Sequence, residues 1–72
     1  MGMKIDDLGV YLTNLGKNKV IKGFDIDYSN ETANIYPNNN IIQVDRIVKR
    51  DVEPIWVDYK GLNRERYIII KL

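Results

Sequence analysis

Apolar and polar positions change their spacing several times along the chain, and each change suggests an element. Ile5, Leu8, Leu12 and Leu15 fall on one helical stripe. Asp6 or Asp7 suits a cap at its start, where negative charge also meets the helix dipole, and Gly16 suits the residue just past its end. Gly9, Val10, Tyr11, Thr13 and Asn14 are mediocre helix formers, and Leu8, Val10 and Leu12 also alternate as a strand does. The spacing predicts a short helix over 5–15, with a strand as the alternative.

Beyond Gly16 the pattern turns to period two. Val20, Phe24, Ile26 and Tyr28 share one face and Gly23, Asp25, Asp27 and Ser29 the other, with Lys22 interrupting the apolar side. Residues 29–32 have turn chemistry. A strand over 33–36 is expected to end at Pro37, and the three asparagines 38–40 tolerate positive φ. Residues 41–49 read as a strand with a fault: Ile42 and Val44 share a face with Arg46, and apolar character resumes at Ile47 and Val48. A β-bulge near Asp45 and Arg46 repairs that alternation. Pro54 is compatible with a strand start. Beyond it Ile55, Val57 and Tyr59 lie on one face and Trp56 on the other. A turn at Gly61, Leu62 and Asn63 leads into a last strand over 67–72.

These segments predict a mainly β fold, or α+β with the first helix counted. The expected form is a small antiparallel meander curled into an SH3-like barrel, one domain over 1–72 with residues 1–2 as an appended remnant. Ile42, Val44, Ile55, Val57, Ile68 and Ile70 are expected to form one buried cluster. No internal repeat is visible in the sequence.

Composition narrows the chemistry. The 72 residues include no cysteine and no histidine, which removes thiol nucleophiles, imidazole bases and Cys/His zinc sites. Eleven Lys and Arg face ten Asp and Glu, a net +1 that is too balanced to imply a polyanion partner by itself. No apolar run approaches the ~20 residues that span a bilayer, and the acidic pair Asp6-Asp7 interrupts any signal-peptide core. The expected location is the cytoplasm. Eleven Ile, eight Asn and seven Lys beside a single alanine, Ala33, suggest an A/T-rich gene, as in a low-GC bacterium or one of its phages or plasmids.

Asp25, Asp27, Ser29 and Glu31 alternate like the start of a calcium loop, but Asn30 stands where that loop needs glycine and Tyr36 where it needs a bidentate Glu. They read as solvent-facing side chains of a strand and its turn, and Asn30-Glu31-Thr32 as part of the turn rather than a sequon. No phosphate-binding glycine loop or serine-nucleophile motif occurs, and so short a chain leaves little room for a catalytic pocket. No cofactor or metal is expected.

What remains is surface. Arg46, Lys49, Arg50, Arg64 and Arg66 form two basic clusters near Trp56, Tyr59 and Tyr67, a combination that suits single-stranded nucleic acid. Asp45, Asp51, Glu53, Asp58 and Glu65 dilute them. Trp56, pointing away from Val57, and the doubly apolar run Tyr67-Ile68-Ile69-Ile70 suit a protein interface instead. Trp56, Tyr67 and Ile69 are therefore the candidate protein-contact residues. The expected function is a non-enzymatic interaction module, an accessory protein of a phage or mobile element that binds another protein. Nucleic-acid binding through the five basic residues is the alternative. A homodimer is expected through the C-terminal strand or the Trp56 face, and the competing arrangement buries Trp56 and Ile69 beneath the N-terminal helix.

Overall fold

The computed structural model describes residues 2–38, 40–61 and 67–72. Their order is α1 (Ile5–Lys17), β1 (Ile21–Asp27), β2 (Thr32–Pro37), α2 (Ile41–Val52), β3 (Trp56–Lys60) and β4 (Tyr67–Lys71). The strands form one antiparallel sheet in the order β1-β2-β4-β3, open at both edges. The fold is mixed α+β, and the sheet does not close into the expected barrel. The reason is local. Residues 41–49, expected as a strand, fall in the helix α2, so they cover the sheet instead of extending it.

In α1 the apolar stripe prevails over mediocre propensity, because Leu8, Leu12 and Leu15 all become buried. The caps differ from expectation. Lys4 is the N-cap and caps nothing with its side chain, while Asp6 and Asp7 lie in the first turn and act only on the dipole. Gly16 is still helical. The left-handed residue is Lys19 (φ 61°), and the helix closes with Val20 N–H bonded to Leu15 O and Lys19 N–H to Gly16 O. That pair of bonds is a Schellman ending made without glycine.

The fault in β1 is a bulge. Ile21 pairs with Pro37 and Gly23 with Tyr36, so Lys22 is the extra residue. It shifts the phase of the strand, which lets Ile21 point the same way as Phe24 and Ile26. Tyr28 lies beyond the strand. The hairpin turn is fastened by Asp27, whose Oδ1 accepts from the backbone N–H groups of Ser29 and Asn30 and whose Oδ2 accepts from Asn30 Nδ2 at 2.7 Å. These bonds hold the Asp27 carboxyl below its ordinary pKa, the Asn30 side chain most of all.

In α2 the expected strand face dissolves into a helical one. Val44, Val48 and Val52 recur every four residues and are buried, whereas Ile42 is 62% exposed. Asn40, expected in a turn, is the N-cap, its side chain accepting from Ile42 N–H at 3.0 Å and Gln43 N–H at 3.2 Å. Such a cap contributes about 1 kcal/mol. Glu53 ends the helix in the left-handed conformation (φ 51°), and Pro54 follows.

The core lies between the two helices and one face of the sheet. It joins the Leu and Val triplets of the helices to Ile21, Ala33, Ile35, Ile68 and Ile70. Of the expected cluster, Val44, Ile68 and Ile70 are buried, and Val57 packs half-buried against them. Ile42 and Ile55 stand in solvent, Ile55 at 74% exposure. The face assignment within β3 is nonetheless right, because Val57 pairs with Ile70 and Tyr59 with Ile68 on the core side. Tyr59 stays 49% exposed on this edge strand, while the helices pack chiefly over β1 and β4. An α-β-β unit thus occurs twice, with Phe24 opposite Ile35 in the first as Val57 is opposite Ile70 in the second.

The helices are tied to each other through Tyr11, whose Oη donates to Asp51 Oδ2 at 2.7 Å, while Arg50 Nε donates to Asp51 Oδ1 at 2.8 Å. Arg50, and then Tyr11, hold the Asp51 carboxyl low. Burial, and then Asp51, push the Tyr11 phenol well above its usual value of 10.0. Linkage gives each a sign. The Asp51 contribution is complete above 3.8 and is lost as pH falls through the folded value. The Tyr11 contribution is complete below 10.0 and is lost as pH rises beyond it. Urea midpoints measured from about pH 2 to about pH 11 should therefore form a plateau with two falling limbs. Tyr11→Phe should flatten the alkaline limb; an unchanged limb would show that Tyr11 is not its source.

Candidate functional site

Strand alternation sends every second side chain to the face opposite the core. On that face the pairings set three rows. Tyr36, Tyr67 and Lys60 form the first, Asp25, Asn34, Ile69 and Asp58 the second, and Asp27, Thr32, Lys71 and Trp56 the third. Both helices lie on the other side, where their buried residues join the core. Trp56 is 43% exposed, and neither it nor Tyr36, Tyr67 or Ile69 packs against the core. The arrangement with Trp56 and Ile69 beneath α1 is thereby excluded. Trp56, Tyr67 and Ile69 come together on one uncovered surface.

Tyr36 belongs to this surface as well, and the sequence reading missed it. Its ring meets Tyr67 with centroids 5.3 Å apart and planes tilted by 43°. Such a pair is worth about 0.5–1.5 kcal/mol beyond the area it buries. The phenol also donates to Asp25 Oδ2 at 3.1 Å, which raises its pKa and fixes the ring's outer end. The available signal was that Asn34 and Tyr36 alternate with Ala33 and Ile35. The neighbour that completes the pair, β4, is invisible to local pattern.

One of the basic candidates, Lys49, stands beside the aromatics of β3. Arg46, Lys49 and Arg50 are exposed on α2, and Lys49 lines a surface concavity with Trp56 and Val57 and neighbours the Tyr59 phenol. Two of the three are also paired: Lys49 Nζ is 3.1 Å from Asp45 and Arg50 Nε is 2.8 Å from Asp51. Arg64 and Arg66 lie outside the described residues, as do Leu62 and Asn63 of the expected turn. Of the calcium-like series, Asp27 is held in the turn and Asp25 by Tyr36.

The free edges carry their own protection. At β3 the Tyr59 backbone N–H donates to Asp58 Oδ1 at 2.8 Å, and Lys60 Nζ lies 3.7 Å from the same carboxylate. An incoming strand would have to displace a charged group already bonded there. At β1 the bulge at Lys22 breaks the regular edge. The last strand, one of the two expected routes to a homodimer, is interior, flanked by β2 and β3, so it offers no unpaired backbone to a second copy. Its apolarity on two faces divides between the core, which takes Ile68 and Ile70, and the open face, which takes Ile69.

One concavity of about 290 Å³ lies where α2 meets β3, lined by Ile41, Ile42, Asp45, Tyr59, Lys60 and Gly61. Asp45 holds the Tyr59 phenol above its ordinary pKa, and Asp45 Oδ1 is buried without a hydrogen-bond partner among the described residues. No helix among the described residues is long and apolar enough to cross a membrane. No protein-family model matches the chain, and comparisons with curated proteins and with solved structures give no match.

Proposed function

We propose that the chain is a non-enzymatic module that binds another protein through the open face of its sheet. The carrying observation is the patch of Tyr36, Trp56, Tyr67 and Ile69, set on paired strands and left uncovered by both helices. Aromatic residues on a rigid surface bury large areas at small entropic cost, which is why they dominate interface energetics. The A/T-rich composition is compatible with an accessory protein of a phage or mobile element acting in the cytoplasm. The concavity beside Asp45 is at the small end of ligand pockets, which run to about 300–1,000 Å³, and it brings together no nucleophile with a base.

A second reading has one observation in its favour. Tyr36 and Tyr67 occupy the two central strands, where single-stranded RNA stacks its bases on other four-stranded sheets. Against it, the described part of this face carries Asp25, Asp27 and Asp58 beside only Lys60 and Lys71, and phosphates need the opposite balance.

One pair of measurements separates these. A photo-crosslinking residue placed at position 69 and expressed in the source cells should form adducts with protein, while the same residue at position 46 should not. Labelled single-stranded RNA and DNA should show no anisotropy change at tens of micromolar protein and low salt. Nucleic-acid binding that weakens by ~0.7 log units per contacted phosphate for each log unit of salt would replace the protein reading.

A further inference from the structure

We propose that the free edge of β1 takes an extended strand of a partner protein, one that alternates apolar and basic residues. This site is separate from the open face and goes beyond the reading of that face. The two edges of the sheet differ. Asp58 guards β3 at its middle, whereas the Lys22 bulge guards only the start of β1. From Gly23 to Asp27 the pairing with β2 is regular. A strand paired on one side presents every second N–H and C=O outward, and another extended chain matches that row.

A groove lies beside this edge. Tyr11 marks the flank of α1 that faces α2, where it bonds Asp51. The opposite flank, with Gly9 and Thr13, lines a concavity of about 450 Å³ together with Phe24 and Tyr28. A Cβ added at Gly9 would stand 3.7 Å from Ile26 Cδ1 and 3.7 Å from Tyr28 Oη, so α1 passes close above β1 here. Phe24 and Ile26 are only half-buried. An added strand sends every second side chain into this groove beside them, and those side chains should be apolar.

Charge specifies the other side chains. Asp25 is exposed, and its row continues through Asn34, Ile69 and Asp58, with no base among the described residues. Asp27 closes the turn beside Lys71, which bonds Asn30 O, and Lys22 stands at the bulge. The residue opposite Asp25 is therefore basic. The same charge disfavours a second copy. Antiparallel pairing of β1 with itself, keeping the core sides together, centres on Phe24, Asp25 or Ile26. The first draws the Lys22 bulge into the ladder, the second sets Asp25 against Asp25, and the third sets Asp25 against Asp27.

The test follows the backbone amide signals of the labelled full chain by nuclear magnetic resonance. Blocked peptides are added to about 1 mM, where weak docking is still read. One alternates valine and lysine, a second valine and glutamate, and a third repeats the first with all its backbone amides methylated. The valine–lysine peptide should shift the signals of Gly23–Asp27 and of Gly9–Thr13. The glutamate peptide should bind about tenfold more weakly. The methylated peptide should not bind, because it keeps the charge and loses the ladder. Asp25→Lys, checked for folding by circular dichroism, should reverse the preference between lysine and glutamate. No shift in β1 would overturn the site, as would shifts confined to β3 or to the open face. Equal binding of the two charges, or of the methylated peptide, would overturn it too. The open-face reading survives each of these outcomes, since the crosslinks from position 69 test it separately.

Discussion

Leu12→Ala, Ile35→Ala and Ile70→Ala should each lower the unfolding free energy by about 2–5 kcal/mol in urea titrations. All three side chains are fully buried, so each truncation loses transfer energy and leaves a cavity. The effect is large against a total of about 4–11 kcal/mol for a chain of this length. The informative comparison lies in α2. Val48→Ala should cost about 1.5–3 kcal/mol, whereas Ile42→Ala and Ile55→Ala should stay within about 0.5 kcal/mol of wild type. A strand over 41–49 requires the reverse for Ile42, because it would share the buried face with Val44. An Ile42→Ala loss as large as that of Val48→Ala would restore the strand.

The misreading of that segment has a physical cause. Its apolar residues are Ile and Val, whose stiff branched side chains favour strands. Alternation from Ile42 to Val44 then looked like the beginning of a β pattern. The period-four series Val44, Val48 and Val52, the Asp45–Lys49 spacing and Asn40 as a cap all pointed to a helix. The period-two alternation of Ile42 and Val44 competes with that period-four series, and packing against the sheet decides for the helix. Elsewhere period was followed, and α1, β1, β2 and β4 lie close to where it placed them.

The candidate surface was legible in part for the same reason. Strand parity alone separates Trp56 from Val57 and Ile69 from Ile68, and both separations hold. What parity lacks is the order of strands. The sequence places β4 last, and a last strand is easily imagined at an edge, yet it inserts between β2 and β3. That insertion brings Tyr67 to Tyr36 and turns scattered aromatics into a patch. It also explains three consecutive isoleucines without an exposed edge. Nearness to Trp56 in sequence does not by itself set nearness in space for the basic residues of α2. Helix α2 keeps Lys49 beside Trp56 and Tyr59, while Arg50 bonds Asp51.

Arg46→Pro should destabilise the fold by about 3 kcal/mol or more, while Arg46→Ala should be nearly silent. Arg46 is exposed in the middle of α2, so its side chain contributes little and the contrast reports on backbone alone. Proline there removes the N–H that bonds the Ile42 carbonyl, and its ring collides with that same carbonyl. The damage does not stay local. Breaking α2 at this point disturbs the register of Val44, Val48 and Val52 over the sheet, three of the fully or nearly buried residues on which the core depends. Far-ultraviolet circular dichroism should lose helical signal together with the drop in urea midpoint. The expected sites make this substitution doubly informative, because position 46 was also the proposed β-bulge, where a strand tolerates proline. A folded Arg46→Pro variant with wild-type stability would mean that residues 41–52 do not form a helix. The open face would then lose its explanation as well, since the sheet would have a further strand with which to close.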